Sequence, residues 1–292
     1  MLPRTWIKNG WTGWHLVMLV LMTVAGFLAT SEAWADILRI AWKDEESSHI
    51  FLVPIVSVWL IWVRRGRFRR CRPRGEWIGL LMIVLGWLSY SLGDTYLIQI
   101  LWHGGALLVV LGAVFSVLGI DVFFAFLSII VLQVFILPVP GRIRQAVAIP
   151  LESVTTIITQ AACEFFGIMS DRSGNVLTVN GHDVQIAEAC NGLRMVFALT
   201  LVSFAFAFGT PLRGYVRAMI LVASPLCAIF CNVIRLVPTV WMYGYWPESV
   251  ANDFHGVSGW VMLPVAFFIL LGIIRLLRWA LVPVTVYTLA YD

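Results

Sequence analysis

The sequence predicts an all-α polytopic membrane protein: about eight transmembrane helices, an amphipathic segment on the outer surface, and a small β-hairpin just before a cysteine. Three observations carry that prediction. Apolar residues make up 60% of the chain and charged residues only 12%, with a mean hydropathy of +0.89, which excludes an ordinary soluble domain. Apolar runs recur at close to the ~20 residues that a hydrocarbon layer of ~30 Å requires, too long for barrel strands. Most of the basic excess sits in one short loop, so the net charge of +4 reflects topology and no nucleic-acid partner is expected. The whole chain, 1–292, reads as one integral membrane domain.

The first apolar run, 14–30, follows Arg4 and Lys8. It is long for the apolar part of a signal peptide, so an uncleaved first span is the preferred reading. A polar connection, 36–48, leads to a shorter second run, 49–63. Arg64, Arg65, Arg67, Arg69, Arg70, Arg72 and Arg74 then crowd one loop, which the positive-inside rule assigns to the cytoplasm. Cys71, within it, reads as an idle thiol. The third to fifth runs are 77–92, 96–118 and 122–139, and Pro138 and Pro140 stop the last of them.

The extracytoplasmic segment 141–188 follows. Its first part is only half apolar, with Gln145, Glu152, Thr155, Thr156, Thr159, Gln160 and Glu164 interrupting it. An amphipathic helix or helix pair lying on the outer surface, broken at Pro150, is expected. Alternating residues on both sides of Asn180-Gly181 predict a hairpin with a type I′ turn. The remaining runs are 189–209, 218–241 and 259–277, and Arg213, Arg217, Arg275 and Arg278 fall on the same side as the arginine-rich loop. Eight spans with both ends cytoplasmic satisfy that charge pattern.

The chemistry centres on Glu188-Ala189-Cys190-Asn191-Gly192-Leu193-Arg194. Cys190 stands at the outer mouth of the sixth run, and Arg194 lies about 6 Å deeper at 1.5 Å per residue. Asn232 and Arg235 lie near the outer end of the seventh run, and Phe254-His255-Gly256 lies in the loop before the eighth. A buried arginine in a membrane helix is costly and persists where it faces a partner or a polar cavity. Arg235 is therefore read as catalytic ahead of a structural pair with Glu188 or a lipid headgroup, whereas Arg194 is divided evenly between function and a snorkelling headgroup contact. Neighbouring cations favour thiolate, the nucleophilic form of Cys190. His255 supplies an imidazole able to move a proton near neutral pH. Together they suggest acyl transfer by an activated cysteine. Cys227 and Cys231 read as packing residues, and a disulfide between Cys163 and Cys190 is left open. No cluster has metal-ligand spacing, so neither metal nor other cofactor is expected.

The order Ala189-Cys190-Asn191-Gly192-Leu193-Arg194, Asn232-x-x-Arg235, His255 resembles the active-site triplet of the exosortase/archaeosortase family. Ser48-His49 with Leu52-Val53-Pro54, the Leu137-Pro138-Val139-Pro140 stretch, Pro150-Leu151 and the hairpin extend the resemblance over most of the chain. Asn191 stands where family members commonly carry serine. His255 stands where archaeal relatives carry arginine, which points to the bacterial branch. The resemblance implies a cysteine transpeptidase or protease of the bacterial inner membrane. Its substrates would be membrane-anchored proteins with a C-terminal sorting signal: a short Pro-Glu-Pro-like motif, a membrane helix and a basic tail. Cys190 would form a thioester, Arg235 would hold the thiolate or oxyanion, and His255 would shuttle the proton. The acceptor, whether water, a lipid amine or a glycan precursor, stays open.

Two other classes fit the same composition. A transporter or flippase for an anionic lipid-linked glycan would use Arg194 and Arg235 as anion ligands, although no internal repeat supports it. A non-catalytic scaffold would need neither the thiol nor the cations.

Overall fold

The computed structural model describes residues 10–73, 77–185 and 192–279. The chain divides into two compact units, Met1–Pro140 and Gly141–Asp292. Among the described residues, six helices are long and apolar enough to cross a membrane, or seven if one bent pair counts as a single span.

Unit 1 begins with α1 (Gly13–Ala29) and α2 (Ser31–Lys43), which meet at an angle of 78°. Much of the expected polar connection is thus helical. Its amphipathic face buries Ala33, Ile37 and Ala41, and Asp36 lies 3.1 Å from the buried ring of His103. A 3-10 turn, Glu45–Phe51, then feeds α3 (Leu52–Val63). After a second 3-10 helix, Arg65–Arg70, come α4 (Trp77–Thr95) and α5 (Gln99–Leu118). These two pack through glycines seven residues apart: Gly79, Gly86 and Gly93 on α4, Gly105 and Gly112 on α5. A Cβ on Gly86 would fall 2.7 Å from the backbone nitrogen of Val109, and one on Gly105 2.3 Å from that of Tyr90. The helices therefore touch backbone to backbone, as small residues allow in membrane interiors.

The fifth apolar run is not one helix. It folds as α6 (Ile120–Ala125), α7 (Leu127–Leu132) and a 3-10 turn, Gln133–Ile136, with a break at Phe126 (φ −113°, ψ 21°).

Unit 2 opens with α8 (Gly141–Phe165), which runs unbroken through Pro150. The expected break is absent because a proline removes one helical donor, whereas ending the helix in apolar surroundings leaves several backbone groups unpaired. By length and composition this helix also qualifies as a membrane span. The expected hairpin is the larger part of a three-stranded antiparallel sheet of β1 (Asp171–Ser173), β2 (Val176–Val179) and β3 (His182–Gln185). Val179 pairs with His182 across Asn180-Gly181, both at positive φ, as the I′ reading required. Leu177, Val179 and Val184 pack with Cys163 of α8 against Leu236 and Val240.

Among the described residues, three helices complete the unit: α9 (Leu193–Gly209), α10 (Gly214–Tyr245) and α11 (Glu248–Trp279). The runs expected as spans at 218–241 and 259–277 are each longer at both ends as helices. His255 accordingly sits within α11 and not in a loop before it. The tail from 280 onward lies outside the described residues.

Candidate active site

The middle of α10 supplies the polar core of unit 2. Residues three and four apart on a helix share a face, and Ala228, Cys231, Asn232, Arg235 and Thr239 form a buried stripe of that kind. Asn232 is 1% exposed and Arg235 7%. The two prolines of α10 each remove a backbone donor. At Pro225 the freed carbonyl of Leu221 is met by the hydroxyl of Ser224, which donates to it at 3.1 Å. The Thr239 hydroxyl donates to the Arg235 carbonyl at 2.8 Å.

Two glycines bring neighbouring helices onto this stripe. Gly192, at the start of α9, has φ +69°, and a Cβ there would lie 2.9 Å from Asn232 Nδ2. Its left-handed backbone lets the chain enter α9 in direct contact with the carboxamide. Gly259, on α11, faces the guanidinium: a Cβ there would lie 3.0 Å from Arg235 Nη1. His255 is half-buried one turn before Gly259, on the same helix face and about 6 Å along the axis. Its carbonyl accepts from the Ser258 hydroxyl at 3.0 Å. A third link joins α9 to α11, where the Arg194 guanidinium stacks 4.6 Å above the ring of Trp260. At the far end of α10, the Tyr243 hydroxyl donates to Asn252 Oδ1 of α11 at 2.5 Å.

Arg235 Nε has no hydrogen-bond partner among the described residues. A buried positive charge whose Nε is unpaired among the described residues favours an anion at its edge, because leaving it uncompensated costs several kcal/mol. Chemically, such a donor suits a carboxylate, a thiolate or an oxyanion.

Of the residues singled out from sequence, Arg235 and Asn232 share one face, the entry to α9 meets Asn232, and α11 meets Arg235 one turn beyond His255. Cys190, Asn191 and Glu188 lie outside the described residues. Cys227 and Cys231 are buried free thiols in the apolar cluster with Leu199, Ala228 and Leu270. Cys163 is a free thiol, fully buried beneath the sheet. Sequence reading missed Gly259 and Trp260. The signal for Gly259 was its place one turn after His255, since a glycine there opens room on the imidazole's own face.

Residues 41–272 match the family model of transmembrane exosortases. The chain belongs to the transmembrane exosortase family. The matched region holds every residue of the stripe, both facing glycines and the Arg194–Trp260 stack. Searches of curated proteins and of solved structures each found no match. This exosortase is a multi-pass membrane protein, and its membership supports a membrane-embedded sorting transpeptidase.

Proposed function

We propose that this exosortase is a cysteine transpeptidase or protease of the bacterial inner membrane that cleaves C-terminal sorting signals at the extracytoplasmic face through a thioester on Cys190. The observation that carries the reading is the guanidinium of Arg235, a residue only 7% exposed, with Nε unused among the described residues and Nη1 seated against Gly259. Chain connectivity supports the rest. Cys190 stands two positions before Gly192 in the sequence, at most about 7 Å of chain, and Gly192 touches Asn232 one turn from Arg235.

In this mechanism the Cys190 thiolate attacks the scissile carbonyl, and Arg235 donates to the oxyanion that develops. The C–N bond breaks as His255 delivers a proton to the leaving amine. The membrane helix and basic tail depart, and the thioester is resolved by water or by an acceptor amine, which gives hydrolysis or transfer. A basic substrate tail held in the cytoplasm places the scissile motif at the opposite face.

The test is co-expression with a membrane-anchored protein bearing a short motif, an apolar helix and a basic tail, followed by immunoblotting for the released helix. Cys190→Ala is expected to abolish cleavage, and Arg235→Ala to reduce it by about a hundredfold or more, the usual loss of an oxyanion donor. Cleavage that survives Cys190→Ala would sink the mechanism. Absence of cleavage in the parent, with transport of an anionic lipid-linked glycan lost in Arg235→Ala and kept in Cys190→Ala, would favour the anion-transport reading instead.

A further inference from the structure

The arginine-rich loop of unit 1 is more ordered than a topological signal needs to be. Residues Arg65–Arg70 form a 3-10 helix, and one side of it is pinned. Arg64 Nη1 donates to Ser128 Oγ at 2.7 Å, and Arg67 Nη1 to the Ala125 carbonyl at 2.6 Å. The Phe68 ring sits 4.4 Å from that of Phe126 and 5.7 Å from that of Trp11. Trp11 Nε1 in turn donates to the Cys71 carbonyl at 3.2 Å. Cys71 is 3% exposed, and burial, with Asp121 nearby, pushes its thiol up from the ordinary value against the smaller opposing effect of Arg67. These contacts buttress one side of the loop.

The outer side carries a cleft. Trp62, Val63, Arg65, Gly66 and Arg69 line a volume of about 440 Å³. Trp62 and Val63 are the end of α3, within the apolar span Glu46–Val63, so the cleft lies where that span leaves hydrocarbon. Arg65 is set by stacking 4.8 Å over the Trp62 ring. Gly66, between the two arginines in sequence, also lines it, and a Cβ there would meet nothing within 4 Å. Tryptophan at a span end belongs at headgroup level, and guanidinium is the preferred side chain for a phosphate.

The geometry points to a binding site for the phosphate headgroup of an anionic phospholipid in the cytoplasmic leaflet, held by Arg65 and Arg69 with Trp62 against the glycerol. Positive-inside topology accounts for the number of arginines. It does not account for two being turned inward as struts while two others, four residues apart, flank a cleft at the exit of a span. The surface potential of an anionic leaflet strengthens binding by roughly fivefold per such side chain. The site depends on nothing in unit 2, so it stands or falls apart from the reading of Cys190.

The test uses the full chain purified in detergent and titrated with phosphatidylglycerol or phosphatidylcholine, with bound lipid counted by native mass spectrometry. Phosphatidylglycerol is expected to bind more tightly, and R65Q/R69Q to weaken it by about thirty-fold. R70Q/R72Q, two exposed arginines outside the cleft, should change it only a few-fold. Equal losses for the two pairs, or equal affinity for the two lipids, overturn the site. So does displacement of the lipid by millimolar inorganic phosphate or by single-stranded RNA. Should R65Q/R69Q fail to fold, R65K/R69K keeps both charges and is expected to lose a few-fold in affinity. Unchanged affinity there rules out a guanidinium seat.

Discussion

In unit 1, a Cβ built on Gly79, Gly86, Gly93, Gly105 or Gly112 would come within 2.2 to 2.7 Å of a backbone nitrogen on the facing helix. In unit 2, a Cβ on Gly192 or Gly259 would instead meet the ends of Asn232 and Arg235, at 2.9 and 3.0 Å. The obstacle is rigid in the first case and a rotatable side chain in the second. One set of glycines lets two helices approach, where lipid gives no hydrophobic drive and close packing has to hold them. The other clears room for polar groups that are to meet something else. Substitution should therefore damage stability in unit 1 and processing in unit 2.

The largest effect is expected at Gly105. Its Cβ would also stand 2.6 Å from the carbonyl oxygen of Gly86, so Gly105→Ala must part α4 from α5 along the seam. A loss of about 3 kcal/mol, at the upper end for overpacking, would be read as a fall in the midpoint of unfolding in detergent. A midpoint within a degree of the parent would show that the seam is looser than backbone contact.

Gly259→Ala should do the reverse. Alanine is favoured over glycine in a helix by up to about 1 kcal/mol, and the guanidinium can yield by tenths of an ångström. Thermal stability should then hold or rise slightly. Processing of a sorting signal should nevertheless fall about tenfold, because a displaced donor no longer meets the charge it is aimed at. Equal processing by the variant would detach Gly259 from the function of Arg235, while leaving the Cys190 and Arg235 tests as they stand.

The two units also differed in how far their sequences could be read. Long apolar runs marked α4, α5, α10 and α11, because hydropathy over a bilayer's thickness is a strong signal. The run from 122 to 139 is as apolar, yet it breaks at Phe126, which hydropathy does not register. His255 looked like a loop residue because Asn252, Asp253 and Gly256 are turn formers. In the structure they sit in the first turns of α11, where Asn252 accepts from Tyr243. Strand β1, Asp171–Ser173, is polar and exposed throughout, so no alternation announced it. The glycines seven apart were visible, but periodicity alone does not name the partner helix. At the site, Arg235 and Asn232 were legible as charge and amide in an apolar run. Their seats were not, since an absent side chain gives no chemical signal.

The smallest effect sharpens the contrast within a single dipeptide. Gly104 and Gly105 are adjacent on α5, about 100° apart around the axis. A Cβ on Gly105 collides with α4, whereas one on Gly104 meets nothing within 4 Å. Gly104→Ala therefore gains helix propensity and restricts the unfolded chain without a steric penalty. It should stabilise the protein by about 0.5 to 1 kcal/mol, seen as a small rise in the same unfolding midpoint that Gly105→Ala lowers. If both substitutions lowered the midpoint, the seam would extend around to Gly104, and the facing glycines of α4 and α5 would not be the whole of the contact. Opposite signs from neighbouring residues of one type would leave only their direction around the helix to explain the difference.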